Sequence, residues 1–180
     1  DQETSDLCIE AFSRLREKCG VEADEIDCAV VCTQNPDGGG LPHTAAILHG
    51  LLELPAHCAC FDISLGCSGF VYALSIVKSF MEANGLKTGI IFTADPYSKI
   101  IDPDDKNTVL LFGDGAAATL LRDDSVAKEP LLVPARFGFH TDGSLAPALC
   151  NHGGELRMNG RAVFTYSAVA VPREIASLVE

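Results

Sequence analysis

One cysteine of this chain stands where a nucleophile would. In the run Leu65-Gly66-Cys67-Ser68-Gly69 the thiol lies between glycines, after one apolar segment and ahead of another that begins at Phe70. That order predicts a strand, a tight turn and the N-terminus of a helix. Unpaired N–H groups and the positive end of the helix dipole favour a thiolate there by about 0.3–1 kcal/mol, and by up to about 2 kcal/mol when partly buried. An ordinary thiol is ionised to only a few per cent at pH 7, so the terminus raises the reactive fraction severalfold without replacing a base. A histidine partner is still wanted. The small neighbours let a substrate approach the backbone, where the Cys67 N–H would face the oxyanion formed at a thioester carbonyl. The plain alternative is a buried thiol that only packs.

The chain's other chemistry-bearing residues read more blandly. Of its eight cysteines, Cys28, Cys32, Cys58 and Cys60 lie in apolar, β-branched runs and read as buried thiols of a reduced, cytoplasmic protein. A zinc site would recruit His57, Cys58 and Cys60, but a closed site takes four ligands and no Cys-x-x-Cys knuckle exists, so no metal is expected. Asp114, between Gly113 and Gly115, reads as a turn residue bonding its own backbone rather than as a catalytic acid.

The elements that must position Cys67 follow from periodicity. Apolar residues from Leu7 to Cys19 have helical spacing, so Thr4 to Cys19 is a surface helix with Thr4 or Ser5 as N-cap and Gly20 as stop. Ile26 to Thr33 has a core, Ala29 to Cys32, that is apolar without alternation, as in a strand covered on both faces. Gln34 to Gly40 is a loop, Pro42 suits the first turn of a helix ending near Pro55, and Cys58 to Ser64 is a second buried strand. Phe70 to Ala83 is apolar nearly all round, which predicts a buried helix stopped by Asn84-Gly85. Thr88 to Ala94, Thr108 to Phe112 and Ala116 to Leu121 read as strands, with a polar connection from Asp95 to Asn107. Asp123 to Gly154 is loop-rich with one apolar run, Leu131 to Ala135, and Leu156 to Glu180 is helical. Strands alternating with helices imply an α/β fold with a largely parallel sheet.

Composition agrees with a globular protein and narrows its partners. The 180 residues are 47% hydrophobic and 21% charged, which excludes a disordered chain. A formal net charge of −12 lacks the basic footprint of a nucleic-acid binder. No uninterrupted apolar window reaches the roughly 18–20 residues of a membrane helix, and the acidic first residues are no signal peptide, so neither a membrane nor a nucleic acid is an expected partner.

Three motifs together carry a resemblance. Asp62-x-x-x-x-Cys67-Ser68-Gly69-Phe70-x-Tyr72-Ala73-Leu74, then Asp102-x-x-Asp105-x-x-Thr108-x-x-x-Phe112-Gly113-Asp114-Gly115-Ala116, then Met158-x-Gly160-x-x-Val163-Phe164 are similar in order and spacing to the β-ketoacyl-acyl-carrier-protein synthase III family of the thiolase superfamily. The resemblance implies a thiolase-like layered α/β fold and a homodimer, with an active-site cysteine acylated by an acyl-CoA or acyl-carrier-protein thioester. Cys67 matches that nucleophile, and no cofactor is implied beyond these thioester substrates. The chain would hold residues 1–154 as an N-terminal half without its first strand, and 155–180 as the opening of the C-terminal half. The family's catalytic histidine and asparagine fall beyond Glu180, since none of His43, His49, His57, His140 and His152 matches, so this piece alone is expected to be inactive. Lys106 stands where relatives carry an arginine near the CoA nucleotide, without its bidentate fork. Leu41 matches a residue reaching the partner's acyl pocket, and Met158, Gly160 and Phe164 match residues near that pocket or tunnel, though helix-face packing explains Met158 and Phe164 equally well. Gly113, Asp114 and Gly115 match a structural turn beside the site.

The reading that follows is acyl transfer: an acyl-enzyme on Cys67, condensed with a malonyl thioester in fatty acid or polyketide-like biosynthesis. Transfer of the same acyl group to an oxygen or nitrogen nucleophile, or to a second acyl chain, is the alternative within the family. A non-catalytic partner subunit is the alternative of another class, and a redox or hydrolytic cysteine is disfavoured because no resolving thiol or local histidine is supplied. Since the thioester carriers are acidic, their docking surface is expected mostly on more basic flanks of this acidic segment.

Overall fold

A computed structural model describes residues 2–127 and 132–179. The chain divides into two compact units, one of residues 2–96 with 114–127, the other of 97–113 with 132–179. Of the apolar run from Leu131 to Ala135, Leu131 lies outside the described residues and 132–135 form no regular element.

The first unit is a four-stranded sheet between helices. It is built from helix α1 (Thr4–Cys19), strand β1 (Cys28–Cys32), α2 (Thr44–Leu51), β2 (Ala59–Ile63), α3 (Gly69–Asn84), β3 (Thr88–Asp95) and β4 (Gly115–Arg122). The strand order is β2-β1-β3-β4. β1 runs parallel to both neighbours, with Cys28 opposite Ala59 and Gly89, while β4 runs antiparallel to β3. β1 is buried along its whole length, as its unbroken apolar run requires. Its alternating side chains supply two cores. Ala29 and Val31 join Phe12, Leu48, Ile90 and Phe92 on the side of α1 and α2, while Cys28, Val30 and Cys32 join Ala73, Val77, Met81 and Ile91 on the side of α3. Each fully buried Val, Ile or Phe contributes about 1.5–3 kcal/mol, so β1 anchors both layers.

Several local expectations are corrected. The cap of α1 is Glu3, which exchanges bonds with Asp6; Thr4 and Ser5 lie inside the helix, the Thr4 hydroxyl donating to the Asn35 carbonyl at 2.5 Å and the Ser5 N–H to the Asp37 carboxylate at 3.2 Å. Helix α2 starts at Thr44 with His43 as its cap, so Pro42, after a cis Leu41–Pro42 peptide, precedes the first turn. β2 is half-buried rather than buried because it is an edge strand. Only the Gly69, Ala73, Val77 and Met81 face of α3 packs on the sheet, and Phe70, Val71 and Ile76 are exposed.

The second unit holds the largest departures. Thr108 to Phe112 is a helical turn, not a strand: the Asp105 carbonyl accepts the N–H groups of Thr108 and Val109, and its carboxylate accepts the Asn107 N–H and the Thr108 hydroxyl, both at 3.0 Å. Segment 123–154 contains a hairpin strand that its loop-like composition concealed. β5 (Leu149–His152) pairs antiparallel with β6 (Glu155–Met158) across Gly153 and Gly154, whose φ values of 65° and 93° suit a two-residue turn. Residues 156–158 are therefore strand, and the helix expected from Leu156 is α4 (Gly160–Val179). By length and mean hydropathy, 1.2, α4 is long and apolar enough to cross a membrane, although Arg161, Pro172, Arg173 and Glu174 interrupt it, so it holds no uninterrupted apolar window of that length.

Candidate active site: the Cys67 turn

The turn follows directly from where β2 ends. Parallel strands β1 and β2 deliver their carboxyl ends to the same edge, and the chain must reverse there to lay α3 back across the sheet. The Ile63 carbonyl accepts both the Leu65 N–H at 3.0 Å and the Thr33 N–H at 3.1 Å, tying the end of β2 to that of β1. The Gly69 N–H donates to the Gly66 carbonyl at 2.7 Å and closes the bend around Cys67. Ser68 is the N-cap of α3, with φ −84° and ψ −7° and no side-chain cap. Cys67 therefore stands two residues before the helix, with its thiol exposed. A thiol held there meets the positive end of the helix dipole and the N–H groups of its first turn.

Gly69 has a use that sequence reasoning did not assign to it. Rather than opening the backbone to a substrate, it makes room for the core: a Cβ there would lie 2.3 Å from Cys32 Sγ and 3.2 Å from Leu65 Cβ. Cys32 itself is buried and lies 3.3 Å from the Leu65 carbonyl. Gly69→Ala is expected to lower stability by about 2 kcal/mol, in the range for overpacking, as a drop in the urea midpoint with an unchanged m-value.

Three carboxylates organise the loop beside this turn. One oxygen of Asp95, at the end of β3, accepts the Thr33 hydroxyl at 2.9 Å, the Gln34 N–H at 2.8 Å, the Asn35 N–H at 3.2 Å and the Asn35 amide at 2.9 Å. Asp62, in β2, accepts the N–H groups of Thr44 and Ala45 at 2.7 and 2.8 Å and so caps α2 through space. Buried Asp37 accepts the Ser5 N–H and donates its own N–H to the Thr44 hydroxyl at 3.1 Å. Both ends of the loop carrying Leu41 are thus fixed, and Leu41 itself is 89% exposed. The available signal for Asp62 and Asp95 was a carboxylate within or at the end of an apolar run, where hydrogen-bond donors must be supplied to it.

The remaining predicted residues fall elsewhere. Cys67, Leu41, Asp114 and Gly115 belong to the first unit, with Gly115 opening β4, whereas Lys106, Gly113, Met158, Gly160 and Phe164 belong to the second. Met158 closes β6, Gly160 is the first residue of α4, and Phe164 on α4 is 73% exposed. The Asn159 side chain accepts the Ala162 N–H at 3.1 Å, which sets the start of that helix. An open cavity of about 610 Å³ in the second unit is lined by His140, Asn159, Arg161, Tyr166 and Arg173 among others, and not by Met158, Gly160 or Phe164.

A second thiol differs from the packing residue that sequence reasoning had taken it for. Cys60 is half-buried, and its Sγ lies 3.9 Å from that of buried Cys58. The hydrogen bond with the Cys58 thiol, aided by the nearby His49, brings the Cys60 thiol down to about 7, while that same bond and burial push Cys58 up. His57 lies 3.6 Å from the Asp27 carboxylate, and among the described residues no three His, Cys, Asp or Glu side chains converge as metal ligands. Alkylation of Cys60 is expected to rise through pH 7 and level off above about 8. In Cys58→Ala its midpoint should climb towards the ordinary value of 9.0, as read by peptide mass spectrometry against pH.

Comparison with known proteins fits this geometry into a wider pattern. The sequence profile of 3-oxoacyl-[acyl-carrier-protein (ACP)] synthase III matches residues 61–143, which include the Cys67 turn. A β-ketoacyl-[acyl-carrier-protein] synthase III of Lactococcus lactis subsp. cremoris is 33% identical over 193 aligned residues, covering 99% of this chain and 58% of the relative. A crystal structure of a 3-oxoacyl-(acyl-carrier-protein) synthase III superposes with a TM-score of 0.88 at 35% identity, covering 98% of this chain and 58% of that one. A 3-oxoacyl-(acyl-carrier protein) synthase from Burkholderia xenovorans gives 0.81 at 29% identity, covering 98% and 54%. The chain thus spans a little over half the length of these relatives.

Proposed function

We propose that this chain, whose sequence and fold are those of the 3-oxoacyl-[acyl-carrier-protein] synthase III family, is the part of a condensing enzyme that takes up the acyl group. Cys67 Sγ attacks the carbonyl carbon of an acyl-CoA or acyl-carrier-protein thioester. A carbon–sulfur bond forms as the carbonyl π electrons move to oxygen, and the Cys67 N–H stabilises the resulting oxyanion. Collapse of the tetrahedral intermediate expels the carrier's thiolate, leaving an acyl thioester on Cys67. In the second half-reaction a malonyl thioester loses carbon dioxide, its carbanion attacks the acyl-cysteine, and the Cys67 thiolate leaves. No cofactor takes part in this sequence.

The observation that carries the reading is the exposed Cys67 thiol, held by backbone at the carboxyl end of β2 and the N-terminus of α3, inside the stretch matched by the synthase profile. Incubation of the full-length protein with acetyl-CoA, followed by peptide mass spectrometry, should find a hydroxylamine-labile acyl group on Cys67. Acylation confined to Cys60 would sink the proposal. The working form is proposed to be a cytoplasmic homodimer, supported by the open edge that β2 leaves on the four-stranded sheet. Sedimentation as a monomer at micromolar concentration would overturn that part.

A further inference from the structure

We infer that Cys32 is a positioning residue for Cys67, bracing the catalytic turn from the core rather than reacting itself. The inference rests on Cys67 being the nucleophile, and it concerns what holds that nucleophile in place.

A single sulfur atom touches both sides of the turn. Cys32 Sγ lies 3.3 Å from the Leu65 carbonyl, to which its S–H donates, and it occupies the space 2.3 Å from where a Cβ on Gly69 would be. Leu65 and Gly69 stand two residues before and two residues after Cys67. Gly69 and Cys32 are therefore a matched pair: the absent side chain of one admits the sulfur of the other.

The support behind that sulfur is stiff. Cys32 ends β1, the strand buried along its whole length between β2 and β3. The next residue, Thr33, is held to β2 through the Ile63 carbonyl and to β3 through the Asp95 carboxylate. A displacement of the turn must push against the best-anchored strand of the sheet. The chemical state of Cys32 suits a brace, since burial and the Asp95 charge push its thiol up and keep the proton that it donates. A serine at this position keeps a donor of similar reach. An alanine loses the donor and opens a void beside Gly69.

Cys28 supplies an internal control. It is as deeply buried, lies in the same core and on the same strand face, but stands four residues earlier, about 13 Å along the strand from Cys32. Removing it costs packing without touching the turn.

The test compares Cys32→Ala, Cys32→Ser and Cys28→Ala in the full-length protein. Two rates are read: acylation by acetyl-CoA, and alkylation of Cys67 by iodoacetamide at fixed pH with the site mapped by peptide mass spectrometry. Because angstrom-scale misplacement of a reacting atom costs up to about a hundredfold, C32A is expected to slow acylation about tenfold, through kcat with KM for acetyl-CoA within about twofold. C32S should remain within about threefold of the parent and C28A within about twofold. Cys67 alkylation should be altered in C32A alone. Should C32A fail to fold, Cys32→Val, which fills the space without a donor, takes its place. Equal acylation and alkylation rates in C32A and C28A overturn the inference, as does C32S failing together with C32A while both stay folded. A parent protein that forms no acyl adduct on Cys67 defeats the acyl-enzyme reading instead, and the alkylation comparison still decides whether Cys32 braces the turn.

Discussion

Cys67→Ala in the full-length protein is expected to eliminate the acyl adduct and to lower condensation by about a thousandfold or more. Acylation passes through a covalent bond that only Cys67 Sγ makes, so no neighbouring group compensates, and groups that act as one unit are lost together when the nucleophile goes. Binding of the thioester should survive, because the turn's backbone, closed by the Gly69 N–H on the Gly66 carbonyl, does not depend on the thiol. The expected signature is a collapse of kcat with an intact dissociation constant for acyl-CoA, measured by calorimetry. Substantial turnover in this variant would mean that another thiol, Cys60 foremost, carries the acyl group.

Asp95→Ala is expected to be the most damaging single change to stability, about 3 kcal/mol. One oxygen of this carboxylate gathers four donors from Thr33, Gln34 and Asn35. Hydrogen bonds to a charged group contribute about 1.5–3 kcal/mol each, but Asp95 is only half-buried and water takes over part of its role, so the loss falls well short of four such bonds. Chemical denaturation of parent and variant measures it. Asp95→Asn, which keeps an acceptor oxygen but not the charge, should recover part of the loss, and a variant as stable as the parent would show that the loop is held from elsewhere.

Those four bonds also mark where sequence reasoning stopped. Elements whose identity comes from local pattern were legible: the buried run at β1, the stop of α1 at Gly20 and that of α3 at Gly85, and the glycine-flanked Cys67. What failed was settled by partners that composition does not reveal, most of them distant in sequence. Thr4 looked like a cap, yet Asn35 claims its hydroxyl across 31 residues. Asp62 entered only as the first residue of a motif, yet it caps a helix that begins 18 residues earlier. Thr108 to Phe112 has the composition of a strand, but Asp105 winds it into a turn. The apolar surround of α3 predicted burial on all sides, while the first unit's sheet covers one face only. The Cys67 thiol was legible as a candidate; the contacts of Cys32 with its turn were not, because one more cysteine in an apolar run carries no mark of what lies across from it.

The strand order also sets a timetable for making the protein. β1 leaves the ribosome well before its partners, which lie about 31 and 61 residues further along, at Ala59 and Gly89. At about 5–20 residues per second, the second partner follows some 3–12 seconds later. During that interval a wholly apolar strand waits with one or both edges unpaired, the condition under which nascent chains misassociate. Synthesis rate and chaperone supply, rather than the stability of the finished sheet, should therefore govern how much of this protein is recovered folded.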